Sequence, residues 1–300
     1  MDYDITVLTD KRYVAPSNPD WYVQNVLTED QMVRDALEAR GLTTHRVSWD
    51  DPDFDWSSTR FILFRTTWDY FDRYPEFDSW LHSVSKKTTL LNPAETIRWN
   101  IDKHYLLDLQ AKGIHIPPTR FIETGATKSL IEYFKESGWD RAILKPAISG
   151  AARHTYLLDS ENVSQYNAVF AELIEKEGML LQEFQTSVPE HGEVSLMVFG
   201  STYSHSVLKK AKKGDFRVQD DFGGTLHDYT PSSEEIDFAI AAVKAVSPLP
   251  LYARVDVMWD NEGVICLSEL ELIEPELWFR RDTDAAYLLA EEVFKRYFKK

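Results

Sequence analysis

The sequence predicts an α/β protein: an N-terminal region folded on a parallel sheet, followed by α+β lobes. Three observations predict it. In the first hundred residues short apolar runs alternate with amphipathic stretches of helical period, the pattern of strands joined by crossover helices. In the last third, apolar runs follow one another across short turns near Gly200 and at "DNEG" (260–263), the pattern of antiparallel hairpins. The length, 300 residues, exceeds that of one ordinary domain and suggests one large or two to three modest lobes.

The elements follow in order. "DITVL" (4–8) reads as a strand. "LTEDQMVRDALEARG" (27–41) reads as a helix, with Thr28 and Gln31 spaced as a capping box and Gly41 as the stop. "THRVSW" (44–49) and "RFILF" (60–64) are strands, "YPEFDSWLHSVSKK" (74–87) a helix, and "TTLLNP" (88–93) a strand. Ligands of parallel sheets gather where strands end, so "RTTWDY" (65–70) is a candidate contact loop. Lys103 opens the helix of "DKHYLLDLQAKG" (102–113). A compact unit follows: strand "TRFIE" (119–123), helix "KSLIEYFKESG" (128–138), "AILKP" (142–146), "TYLLD" (155–159), a helix near 160–176, and "GMLLQEF" (178–184). "EVSLMVFGSTYSHSVLKKA" (193–211) is a hairpin, a helix starts at Ser232, and "YARVDVMWDNEGVICLSELEL" (252–272) is a second hairpin. "DTDAAYLLAEEVFKRYF" (282–298) closes the chain as a helix with Asp282 at its N-cap. The expected division is 1–95, 96–185 and 186–300.

Composition excludes several classes. The formal net charge of −16 argues against a general binder of nucleic acid or anionic membrane, although a local Lys/Arg cluster could still hold an anionic ligand. A single cysteine, Cys266, rules out an internal disulfide and suits a reducing cytoplasm. The acidic N-terminus is no signal peptide, and no run approaches the roughly 18 apolar residues of a membrane helix. The expectation is a soluble, cytoplasmic protein.

"LSELELIEPEL" (267–277) sets four carboxylates among apolar neighbours. In a strand, Glu269 and Glu271 point to one face roughly 6.6 Å apart, where two charges repel by about 2.5 kcal/mol at an effective dielectric of about 20. With an even number of residues in the "DNEG" loop, Arg254 and Asp256 share that face with Leu267, Glu269 and Glu271. An all-oxygen set suits Mg²⁺ or Mn²⁺; an exposed face salt-bridged to Arg254 explains the acids equally well. Lys145 ends a strand before the small-residue loop "AISGAARH" (147–154), as a phosphate clamp or a solvated terminus. Lys209, Lys210, Lys212, Lys213 and Arg217 concentrate in "LKKAKKGDFRVQDDFGG" (208–224). His154 and His205 read as structural, and Cys266 as buried.

Taken in order, Lys103, Lys145 with its loop, "LLQEF" (180–184), Lys209, "FRVQDDFGG" (216–224), "ARVDVM" (253–258) and "SELELIEP" (268–275) resemble the ATP-grasp superfamily. Within it the chain looks most like glutathione-synthetase and RimK-type carboxylate–amine ligases, including the cycloserine-synthetase-like group. "LLNPAETIRWNIDKHYLL" (90–107) looks like the segment joining a Rossmann-like pre-ATP-grasp domain to two lobes that clasp ATP. The resemblance implies that Lys103 and Lys145 hold ATP phosphates under the loop Ile148–Thr155, with Ser149 and Gly150. It assigns Gln182, Glu183 and the Phe184 backbone to adenine, and gives Glu193 the acidic position that meets ribose or bounds the nucleotide. Lys209 and Arg217 fall near the phosphates and acyl intermediate, and Arg254 meets the transferring phosphoryl group. Asp256, Glu269 and Glu271 would bind two Mg²⁺, offsetting their repulsion. Glu271 stands where relatives usually carry asparagine, and the phosphate loop has alanines where relatives have glycines and also carries Arg153.

The implied reaction activates a small-molecule carboxylate with ATP and couples it to an amine through an acyl phosphate, giving an amide, ADP and phosphate. A small-molecule kinase on the same fold and a non-catalytic nucleotide-binding module are the competing readings. Arg65, with Trp68 and Tyr70, is the candidate reader of the substrate carboxylate. Relatives are often dimers or tetramers, so a homo-oligomer stays open.

Overall fold

The structure, a computed structural model, describes residues 1–150, 152–218 and 222–299. Ala151 of the small-residue loop 147–154 and residues 219–221 of the basic segment lie outside the described residues.

Four strands form the first sheet: β1 (Tyr3–Thr9), β2 (Thr44–Ser48), β3 (Thr59–Thr66) and β4 (Thr89–Leu91). They are parallel in the order β2-β1-β3-β4, as the alternation of strands and helices predicts. Helices α1 (Trp21–Glu38) and α2 (Tyr74–Val84) make crossovers. The first helix starts earlier than expected. Asp20, not Thr28, is its N-cap and accepts from the Val23 amide at 2.9 Å, and Thr28 lies inside the helix. An aspartate just before an apolar run is the stronger start signal.

α3 (Ala94–Ile101) and α4 (Tyr105–Ala111) lead to an antiparallel second sheet. Its strands are β5 (Thr119–Ile122), β6 (Arg141–Pro146), β7 (Tyr156–Asp159) and β8 (Met179–Glu183), in the order β5-β8-β6-β7. α5 (Leu130–Ser137), with its Ser129–Glu132 capping box, and α6 (Asn167–Ile174) cover it through Leu130, Phe134 and Phe170.

After the short α7 (Ser187–His191) comes the third sheet. It contains β9 (Glu193–Phe199), β10 (Thr202–Lys210), β11 (Thr225–Asp228), β12 (Tyr252–Trp259) and β13 (Ile265–Glu271), antiparallel in the order β11-β10-β9-β12-β13. β11 is short and mostly exposed, so it gave no apolar signal in the sequence. α8 (Ser233–Lys244) packs on this sheet. α9 (Asp284–Tyr297) has Thr283 at its N-cap position, and Asp282 accepts from the Asp284 amide at 3.1 Å. α9 returns to the first lobe: Leu289, Ala290 and Val293 share a core with Val33, Ala36 and Leu37 of α1 and with Phe199 and Tyr252. Among the described residues no helix is long and apolar enough to cross a membrane.

Candidate active site

The acidic hairpin reaches its register by an unexpected route. Trp259 pairs with Ile265, so the loop holds an odd number of residues, 260–264. Continued without interruption, that register would set Ser268 opposite Asp256. A bulge at Ser268 of β13, opposite the step from Asp256 to Val257, restores the parity, pairing Asp256 with Glu269 and Arg254 with Glu271. Leu267 consequently pairs with Val257 in the core rather than joining the acids. Asp256, Glu269, Glu271 and Ser268 all line one cavity of about 550 Å³.

Each carboxylate meets a cation. Lys103 Nζ lies 2.9 Å from Glu269 Oε1 and donates to Ser149 O at 2.8 Å. Lys209 Nζ bridges Glu193 at 2.5 Å and Asp256 at 3.1 Å, while Ser195 Oγ donates to Asp256 Oδ1 at 2.5 Å. Arg254 Nη2 donates to Asp256 Oδ2 at 2.8 Å and also to Glu271. Burial pushes the Asp256 carboxyl up, but Arg254 and Lys209 outweigh it and hold the group well below the usual range. Burial also raises Glu269, and Lys103 and Lys145 bring it below its ordinary value. At Glu271 burial wins, helped by Asp256 and Glu269, and pushes the group up to about 7. Burial and the neighbouring Lys103 lower Lys145, whose Nζ sits 3.4 Å from Gln182 Oε1.

All the donors in the acidic set are carboxylate oxygens. Among the described residues no group of three or more His, Cys, Asp or Glu converges into a metal cage. Mg²⁺ needs no such cage: it takes one or two carboxylates and completes its shell with phosphate oxygens and water. The residues fit an ion that arrives with a polyphosphate. Apolar walls of Ile143, Phe184, Val218, Met258 and Leu270 adjoin the charged floor, so the cavity can hold a flat ring at one end and anions at the other.

Similarities to known proteins follow this geometry. Residues 5–92 match the family described as D-cycloserine synthetase DcsG, N-terminal domain. The cycloserine biosynthesis protein DcsG of Streptomyces lavendulae is 28% identical over 287 residues, covering 87% of this chain and 91% of that protein. The crystal structure of D-cycloserine synthetase DcsG matches with a TM-score of 0.85 at 25% identity, over 97% of this chain and 99% of that one. The ATP-grasp ligase PsnB, in complex with a phosphomimetic variant of its minimal precursor, Mg and ADP, matches with a TM-score of 0.65 at 16% identity over 98% of each chain. The chain has the ATP-grasp fold.

The cavity gathers most of the residues singled out from the sequence. Lys103, Lys145, Ser149, Gly150, Gln182, Glu183, Phe184, Glu193, Lys209, Arg217, Arg254, Asp256, Glu269, Glu271, Trp68 and Tyr70 line it. Arg65 does not. It is 1% exposed, its Nη1 donates to Pro275 O at 3.0 Å, and Glu29, Asp30 and the Phe279 ring enclose it. The strand continues through Thr66, so Arg65 is an interior strand residue rather than the first of a loop. Two other roles change in detail. The Phe184 amide donates to Arg141 O at 3.1 Å and its carbonyl accepts from Asn261, so what reaches the cavity is its ring. Arg217 is paired with Asp215 at 2.7 Å and lies over Phe222 at the cavity edge, while Lys210, Lys212 and Lys213 are exposed outside it. Arg153 anchors the small-residue loop through Glu177 at 2.8 Å.

Sequence reasoning missed Ser195, Met258, Glu274 and Trp278. Met258 follows Arg254 and Asp256 at the strand period and was legible by alternation. Ser195 faces Asp256 only through the β9–β12 register, which no local signal reveals.

Proposed function

We propose that the chain is an ATP-dependent carboxylate–amine ligase. It activates a small-molecule carboxylate as an acyl phosphate and transfers the acyl group to an amine, releasing ADP and phosphate. The observation that carries this reading is the cavity itself. Lys103, Lys145, Lys209 and Arg254 converge there on Asp256, Glu269 and Glu271, beside an apolar slot of nucleotide-ring size.

In this reading residues 1–95, 96–185 and 186–300 are three lobes: a Rossmann-like substrate lobe, a lobe bearing the phosphate loop, and a catalytic lobe. Ile143, Met258 and the Phe184 ring take adenine, with Gln182 and Glu183 beside it and Glu193 near ribose. Lys103 and Lys145 hold phosphate oxygens, and the loop with Ser149 and Gly150 closes over them. Asp256, Glu269 and Glu271 would hold two Mg²⁺, which when bound neutralise the triphosphate. Arg254 is positioned for the charge that grows on the transferring phosphoryl group. Trp68 and Tyr70 face the substrate end. The carboxylate oxygen attacks the γ-phosphorus as the bond to the ADP oxygen breaks. The amine then adds to the acyl carbon, loses a proton, and expels phosphate. One buried cysteine suits a reducing cytoplasm.

The test is ATP-dependent phosphate release with Mg²⁺ and pools of amino acids, with hydroxylamine added to capture an acyl phosphate as hydroxamate. The double change Glu269→Gln, Glu271→Gln lowers turnover by about two orders of magnitude or more. A stable phosphorylated product with no hydroxamate would replace the ligase by a kinase, and full activity in the double variant would remove those residues from the mechanism.

A further inference from the structure

β13 ends its sheet, and an edge strand offers a row of unpaired N–H and C=O groups to solvent or to another strand. In the antiparallel ladder with β12 the main-chain groups of Glu269 and Glu271 turn inward, so those of Leu270 and Leu272 turn outward. All four outward groups are taken, by side chains of the segment that leads from the first sheet to the second. Tyr105 Oη accepts from the Leu270 amide at 2.9 Å. Asn100 Nδ2 donates to Leu270 O at 2.8 Å, and Asn100 Oδ1 accepts from the Leu272 amide at 2.8 Å. Asn92 Nδ2 donates to Leu272 O at 2.8 Å. A residue of a further parallel strand would make the same two bonds as Asn100, one on either side of Glu271.

Asn100 is 7% exposed and Tyr105 2%, so removing either polar group leaves its backbone partners buried and unpaired. Between them stands Lys103, whose Nζ pairs with Glu269 at 2.9 Å and whose amide donates to Ala147 O at 2.9 Å. One stretch, 100–105, thus holds the backbone of β13 at two places, neutralises one of its carboxylates and reaches the base of the small-residue loop. The strand needs that hold. Glu269 and Glu271 repel each other along it, and a strand bonded on one side only yields to such a push.

We infer that Asn100 and Tyr105 are positioning residues for the acidic set. By completing the outer edge of β13 they fix the separation and aim of Glu269 and Glu271, and with them the affinity for the divalent cations those carboxylates would hold. The polar atoms of both side chains are committed to backbone, so they act only through the strand. The inference rests on the ligase reading, in which the ions arrive with ATP, and goes beyond it by giving a role to residues outside the acidic set.

Two measurements without turnover test this. The first is amide hydrogen exchange in the metal-free protein. Leu270 and Leu272 are protected in the wild type. Tyr105→Phe loses the protection of Leu270 and Asn100→Leu that of Leu272, while Val33 and Leu37 of α1 stay protected. The second is the calorimetric affinity for a non-hydrolysable ATP analogue, with Mg²⁺ and with EDTA. The wild type binds tighter with Mg²⁺. Asn100→Leu cuts that gain about tenfold and Tyr105→Phe cuts it by less, both leaving the affinity in EDTA unchanged. A merely structural role would lower the fraction of folded protein and leave the gain as it was. Should Asn100→Leu fail to fold, Tyr105→Phe, which sheds a single hydroxyl, carries both readouts. The inference falls if a folded variant keeps the full gain from Mg²⁺, or if Leu270 and Leu272 already exchange freely in the wild type. A wild type with no gain from Mg²⁺ overturns the metal site of the ligase reading and the inference with it. A gain from Mg²⁺ without phosphate release on any amino acid overturns the ligase reading alone.

Discussion

At Arg65 a guanidinium lies in the protein interior between Glu29 at 3.6 Å and Asp30 at 3.7 Å, over the face of Phe279. Burying such charges is costly, and mutual attraction with hydrogen bonding offsets that cost only while the set is complete. Arg65→Met leaves Glu29 with Arg280 and Asp30 with Arg46, but strips each of one cation and frees the Pro275 carbonyl. The expected loss is about 3 kcal/mol, seen as a lower urea midpoint. A fall in substrate affinity with stability unchanged would return Arg65 to the substrate site. The residue's position after an apolar run suggested a loop cation facing ligand. What that reading lacked was the extent of β3 and the partners on α1, some thirty-five positions away. Lys103, Lys145, Lys209 and Arg254 were legible because each ends or alternates along a strand or opens a helix in a recognisable order. Asn100 and Tyr105 were not, since what they hold is the backbone of β13, some 170 positions away.

At the scale of elements, the helices and strands followed apolar period and caps closely, whereas the bulge in β13 could not be read. An odd loop and one extra strand residue cancel, and both leave the sequence pattern unchanged. A comparable constraint sits at the start of β9. Gly192 has φ +96°, and a Cβ there would come 2.4 Å from the Lys209 carbonyl oxygen and 2.9 Å from Leu208. Lys209 pairs in register with Glu193, so a push at Gly192 displaces the strand that aims Lys209 into the cavity. Gly214 shares the left-handed backbone, at φ +87°, with nothing within 4 Å. Gly214→Ala therefore costs only backbone strain, about 1 kcal/mol. Gly192→Ala adds the clash and costs upwards of about 2 kcal/mol. Denaturation midpoints compare the two directly, and equal losses would show that β10 yields at no cost.

Across the whole molecule, one charge network ties the first lobe to the wall of the cavity. Glu29 on α1 accepts from Arg280 at 2.5 Å, Arg280 reaches Glu276 at 2.7 Å, and Arg65 and Asp30 close the group from β3 and α1. Burial, and after it the charge of Glu276, pushes Glu29 up to about 7, against the opposing pull of Arg65 and Arg280. A carboxyl raised above its ordinary value of 4.5 favours the folded state fully below that value and loses the contribution as pH rises through about 7. The unfolded chain releases this proton first, so folding becomes less favourable across the interval. The change is on the order of 3 kcal/mol. Glu29→Gln keeps the shape and cannot ionise. Its urea midpoint should fall less than the wild type's between pH 4.5 and pH 7, with Asp30, Glu271 and Glu274 titrating alike in both proteins. Parallel pH profiles would mean that Arg65 and Arg280 already hold Glu29 ionised, and that the lobes are joined by a fixed ion pair instead of a titrating one.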